Sequence, residues 1–341
     1  MFNKHNCFIM RKRIAINGII NHCCQRAASN YLLFYTVSDF LVFFTIVCVM
    51  VRKHKVRLLS LILMYDHYHI SVITRGSKQL SSFISSCTKA FVVENNPLCH
   101  RSGQLFQHSF LSVPKKGDKA ARTNLIYLGN NAVERRIVKK AEDYRWGFLA
   151  YAKSKNPFSD PLVIRNASWP MRKAVAEVKS HYNAGRYLTY AVLKRISSPL
   201  NKQEQLQLTD FIIGTYNVID YDAAIRFFDS WEDMILSMHA NTGSEYDLNE
   251  VFVGKSDEYY PRLIRLTLAK TGLKDIHDVF ALSEKRRYEL FNYLRQHSDA
   301  DARQIVAFLR IRINYARKLE PPRNSRRSEV AGISLSGTGV K

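Results

Sequence analysis

Residues 32–51 form a nearly unbroken apolar run that ends in Arg52-Lys53-His54-Lys55. Such a run has two destinations, a bilayer or the middle of a hydrophobic core, and each dictates the rest of the fold. Its length is about that of a membrane span, and the basic cluster behind it resembles a cytoplasmic flank. Asp39 lies inside the run, directly after Ser38. Ser-Asp reads as a helix start, which predicts a helix over 38–53, short for a span. The run is therefore expected to be a core helix. A membrane-associated protein of unrelated function is the competing reading.

The 341 residues suffice for two domains. Apolar residues make up 46 %, enough for a real core. Lys plus Arg is 51 against 29 Asp plus Glu, a net charge of +22, which points to a polyanion, either nucleic acid or an anionic membrane surface. Six cysteines in this length, with no C-x-x-C pair, are not a disulfide framework, and a reduced cytosol fits best. His22-Cys23-Cys24 reads as small residues on a strand rather than a zinc site, since no second ligand pair has zinc spacing. The first ten residues lack a clean apolar signal core, and Met10 is a second plausible start.

Alternating and periodic apolar patterns predict a strand over 14–24, the helix over 38–53, strands over 56–65 and 67–74, a helix over 79–93, a strand over 105–113 and a helix over 119–136. That order suggests an α+β fold, a split βαβ, ferredoxin-like antiparallel sheet with packed helices. The first domain spans 10–151. Pro157, Pro161 and Pro170 mark a linker over 152–170. Residues 171–320 read as an all-helical domain, with a helix-turn-helix candidate at 286–319 whose last helix carries Arg310, Arg312 and Arg317. A generic three-helix packing unit is the alternative. The tail over 321–341 is Arg-, Ser- and Gly-rich and reads as disordered. No internal repeat, P-loop or G-x-G-x-x-G occurs.

His67 and His69 stand two apart on a predicted strand, so their imidazoles share a face and can offer nitrogens to one metal. Alone, such a pair is more readily accidental than functional. Tyr127 and Asn131 stand four apart in a helical segment and point to one side. A phenol is a weak nucleophile, and a divalent cation that polarises a phosphate would let it attack. An Asn carbonyl oxygen is a hard ligand suited to Mg²⁺ or Mn²⁺. Among the remaining conspicuous residues, Tyr144 and Trp146 read as packing, His181, His239, His277 and His297 as surface residues, and Cys87 and Cys99 as inert.

The order of segments adds what single motifs lack. His22-Cys23-Cys24-Gln25-Arg26-Ala27 precedes the helix. Leu63 to His69, Ser102-Gly103-Gln104-Leu105-Phe106-Gln107, Leu125-Ile126-Tyr127-Leu128-Gly129-Asn130-Asn131 and Glu142-Asp143-Tyr144-Arg145-Trp146 follow. The series over 14–151 resembles the REP-associated tyrosine transposases, single-tyrosine members of the HUH class. That resemblance implies an HUH core in which His67, His69 and Asn131 hold Mg²⁺ or Mn²⁺ and Tyr127 attacks a DNA phosphate. It implies cleavage and strand transfer of single-stranded hairpin DNA through a 5′-phosphotyrosine, that is, DNA transposition. Gln25 and Arg26, with Arg310, Arg312 and Arg317, are the candidate DNA contacts. The implied location is cytoplasmic, and monomer and homodimer both remain open.

The chain departs from the family pattern at Ala132, where Pro is usual, at Gly129, where His is common, at Asp66, where Asn is usual, and at Ser109, where Arg is usual. None removes a predicted ligand or the nucleophile. A non-catalytic DNA-binding protein derived from a transposase is the main alternative, and a replication-initiator relative a smaller one.

Overall fold

The core unit begins with β1 (Ile20–Arg26), α1 (Val37–His54), β2 (Arg57–Leu63), β3 (His67–Ile73), α2 (Ser77–Leu98), β4 (Leu111–Lys115) and α3 (Gly117–Glu134). They are taken from a computed structural model that describes residues 14–107, 110–240 and 256–311. The four strands form one sheet in the order β2-β3-β1-β4, with every neighbouring pair antiparallel. Each βαβ crossover skips one strand, so this is the expected split βαβ, α+β arrangement. Its two inner strands are β3 and β1.

The strand ends differ from the sequence pattern for identifiable reasons. β1 starts at Ile20 rather than 14, because the chain first turns. Gly18 has φ +78°, and Asn21 accepts from the Ile16 N–H and donates to the Ile16 and Ile19 carbonyls. β1 then continues to Arg26, paired with His67. The fourth strand occupies Leu111–Lys115 instead of 105–113, and Phe106 makes an isolated bridge to Ala27. Helix α1 is capped by Thr36, not by Ser38. Asp39 sits at its third position and completes a reciprocal capping box.

One face of the sheet packs on α1 and α2, where Cys23, Tyr68, Ile70 and Val72 meet Phe43, Phe83 and Phe91. Thus the apolar run is a core helix, buried from Asp39 to Val51. No helix among the described residues is long and apolar enough to cross a membrane. The other sheet face packs on α3. The β2 edge is covered by later chain: Leu63 N–H donates to the Trp146 carbonyl (3.0 Å) and Asp220 N–H to the Leu58 carbonyl (2.8 Å).

The remaining elements are helical: α4 (Trp169–Asn183), α5 (Tyr190–Ser197), α6 (Lys202–Tyr216), α7 (Tyr221–Ile225), α8 (Trp231–Ala240), α9 (Tyr259–Thr271), α10 (Glu284–His297) and α11 (Ala302–Leu309). Helices α4 to α6 share the α1 hydrophobic cluster. Helices α9 to α11 form another with Leu32 and Tyr35. The segment before α4 is pinned by Asp210, which accepts from Arg145, Tyr151 Oη, the Phe158 N–H and Ser159 Oγ. Arg310, a left-handed residue (φ 51°), closes α11, and from residue 312 on the candidate third helix over 310–319 lies outside the described residues. Arg312, Arg317, Met10, Ser109 and the tail over 321–341 lie outside the described residues.

Candidate functional site

The register decides which side chains meet. His22, Cys24 and Arg26 of β1 lie opposite Ser71, His69 and His67 of β3, so these six share one sheet face. It is the face toward α3. Ser71 Oγ donates to Asn124 Oδ1 (2.6 Å), which seats the helix on the strand. One turn further Tyr127 stands over the histidines, its ring 5.5 Å from that of His69 and 5.9 Å from that of His22. Asn131 Nδ2 donates to Tyr127 Oη (3.3 Å). The rings of His67 and His69 are 4.9 Å apart and almost perpendicular. The structure therefore brings His67, His69, Tyr127 and Asn131 into one cluster, all buried, with Tyr127 4 % exposed.

The two strand histidines are held differently. His67 Nδ1 donates to Asp66 Oδ1 (2.5 Å), and Asp66 Oδ2 accepts from Arg26 (2.9 Å). Burial alone would raise the Asp66 carboxyl, but His67 and Arg26 beside it hold it well below the usual carboxylate range. His69 Nδ1 meets His22 Nε2 at 2.9 Å, and its Nε2 lies 4.0 Å from Cys24 Sγ. Beyond Asn131, α3 ends at Arg135, whose guanidinium pairs with Asp257 at the entry to α9. The Asp257 N–H also donates to the Arg135 carbonyl (3.0 Å). Burial, and secondarily Asp66, push the Asp257 carboxyl up to about 7 against the pull of Arg135.

A metal at this cluster would need ligands that suit it. Among the described residues no group of three or more His, Cys, Asp and Glu is disposed to hold an ion. The predicted set contains two such residues and an amide. Asn131 Oδ1 is buried without a hydrogen bond among the described residues, and a buried carbonyl oxygen in that condition suits a hard cation. Each His has its Nδ1 engaged, by Asp66 or by His22, so a cation would be met through Nε2, which carries a lone pair where Nδ1 is the donor. On those grounds the residues fit a divalent cation.

Two candidate DNA contacts, Gln25 and Arg310, are engaged within the chain. Gln25 points to the opposite sheet face, where it is buried, accepts from Tyr68 Oη (2.9 Å) and donates to the Gln107 carbonyl (3.0 Å). Arg310 turns inward. Its guanidinium lies 4.3 Å from the Phe280 ring centre and donates to the Leu32 carbonyl (2.9 Å). Arg26 is half-buried on Asp66.

The sequence reading missed His22, Asp66 as a partner, and the Arg135–Asp257 pair. The first was visible as a residue two before Cys24 on a strand, but only the register with β3 reveals its neighbour. Also corrected is His277, read as a surface residue. It is buried between Asp39 (3.0 Å) and Asp275 (2.7 Å).

No protein-family model matches the chain, and no curated protein matches it. Among solved structures, that of a REP-associated tyrosine transposase bound to a REP hairpin is similar to it. The likeness covers 40 % of this chain and 79 % of that one, at 17 % identity and a TM-score of 0.35. At that distance it assigns no residue a role.

Proposed function

We propose that the chain is a DNA transposase that cuts and rejoins single-stranded hairpin DNA through Tyr127, with Mg²⁺ or Mn²⁺ held by His67, His69 and Asn131. The observation that carries this is the Tyr127 hydroxyl, bonded to Asn131 one turn on, on a ring that meets His69 edge-on with His67 beside His69. Tyr127 Oη would form a bond to phosphorus as the P–O3′ bond breaks. The products are a 5′-phosphotyrosine and a 3′-hydroxyl, on which the phenol proton ends. Attack by a 3′-hydroxyl of a second strand reverses the step, so no external energy source is required. A bound cation would supply charge neutralisation and polarisation of the phosphate. Asn131 Nδ2 holds the phenol oxygen in place, and Asp66 fixes the His67 ring. The net charge of +22 supports a nucleic-acid substrate, since basic surfaces hold the phosphate backbone.

A second reading, a non-catalytic DNA-binding protein, is favoured by one fact: the whole cluster is enclosed, with both histidines 0 % exposed. An active enzyme must open to admit a strand. Incubation with labelled hairpin oligonucleotides and Mn²⁺ separates the readings. The account expects a denaturant-resistant adduct with the natural chain, no adduct with Tyr127→Phe, and Mn²⁺ affinity reduced more than ~10-fold in His67→Ala. Hairpin binding with no adduct and no metal requirement would support the second reading.

A further inference from the structure

His22 is a buried imidazole on the inner strand β1 that the proposed chemistry does not use. Its Nε2 lies 2.9 Å from His69 Nδ1, and the two rings are 5.1 Å apart. A neutral imidazole has one N–H and one lone pair, so this contact admits two arrangements. In the first, His69 Nδ1–H donates to His22 Nε2, and His69 Nε2 carries its lone pair. In the second, His22 Nε2–H donates to His69 Nδ1, and His69 Nε2–H points toward Cys24 Sγ, 4.0 Å away. A metal can be bound through Nε2 in the first arrangement alone.

The neighbouring histidine shows the same logic with a different partner. His67 Nδ1 donates to Asp66 Oδ1, which leaves the lone pair on Nε2. Asp66 brings a negative charge to the cluster, partly answered by Arg26. An imidazole behind His69 fixes the ring without adding a second negative charge, so a cation there would keep its pull on a phosphate.

We propose that His22 is a positioning residue that holds His69 in its Nδ1–H form, with Nε2 directed at the cation. This rests on the reading of His67, His69 and Asn131 as the ligand set. A glutamine at position 22 can still accept through its amide oxygen, whereas alanine cannot.

The test uses the full chain, labelled with ¹⁵N-histidine and metal-free at about pH 8, where histidines of ordinary pKa are neutral. Long-range ¹H–¹⁵N correlation reports which nitrogen of His69 carries the proton, with the His69→Gln protein assigning the signal. The expected result is Nδ1–H in the natural chain and in His22→Gln, and a substantial Nε2–H population in His22→Ala. Mn²⁺ affinity should fall ~10–100-fold in His22→Ala and recover largely in His22→Gln. A natural chain whose His69 carries its proton on Nε2 overturns the proposal, and this measurement needs no variant at position 22. If His67→Ala and His69→Ala weaken Mn²⁺ binding but His22→Ala changes neither affinity nor tautomer, the positioning role alone fails. If none of the three affects Mn²⁺ binding, the ligand reading fails instead.

Discussion

A side chain at position 129 has to displace the Met238 thioether, because a Cβ there would come within 2.5 Å of Met238 Sδ. Asn130 Nδ2 donates to the Met238 carbonyl (2.7 Å) and Arg122 pairs with Asp233, so α8 is fastened to the outer face of the tyrosine helix. Gly129 is thus matched to an intramolecular neighbour, on the side away from Tyr127. Gly129→Ala would gain about 1 kcal/mol in helix propensity and lose part of that to the displacement of the flexible Met238 side chain. We expect it to stabilise a Met238→Ala background more than the natural chain, read by urea denaturation of the four proteins. Additive effects would show that the two residues do not compete for space. The i, i+4 spacing made the Tyr127–Asn131 pairing readable from sequence, and strand alternation did the same for His67 and His69. His22 and Asp257 were not readable as partners, since each meets its counterpart through contacts far apart in sequence.

Types and order of the first seven elements follow from hydrophobic periodicity, and the ends do not, because local polar bonds set them. Helix α1 is the clearest case. Ser38-Asp39 signals a start, yet the cap is Thr36, whose Oγ1 accepts from the Asp39 N–H (3.3 Å) and donates to Asp39 Oδ2 (3.1 Å). Thr36→Ala should therefore cost about 1 kcal/mol, and Ser38→Ala less than ~0.5 kcal/mol, as measured by thermal unfolding. Equal effects would contradict the cap assignment. In β1 the turn built by Asn21 fixes where pairing begins, and with it the face on which His22 and Arg26 emerge. A slip of one residue would send both to the opposite face.

Asp39 also joins distant parts of the molecule. It accepts from Tyr190 Oη of α5 (2.7 Å) and from His277 Nε2 (3.0 Å), so the first core helix and the C-terminal helices share one buried charge. Burial alone would lower the His277 pKa; Asp39 and Asp275 instead raise it from 6.5 to about 10. A raised histidine pKa contributes stability that is complete below the unfolded value and is lost as pH rises through the folded value. Unfolding free energy should therefore decline between about pH 6.5 and 10. His277→Gln should remove that slope and cost ~3–5 kcal/mol near neutrality, since it leaves Asp39 buried without its cation. Urea denaturation across this range checks both, and an unchanged slope in the variant would count against the pair. The Arg135–Asp257 pair likewise ties the end of α3 to the start of α9, a contact that residue patterns do not report. Whether the enclosed tyrosine acts on DNA is decided most directly by mapping an adduct. The chain is incubated with a hairpin oligonucleotide and Mn²⁺, digested with nuclease and trypsin, and analysed by mass spectrometry. The account predicts a 5′-phosphonucleotide on Tyr127, in the peptide running from Thr123 to Arg135; an adduct on another tyrosine, or none under conditions where the hairpin binds, would contradict it.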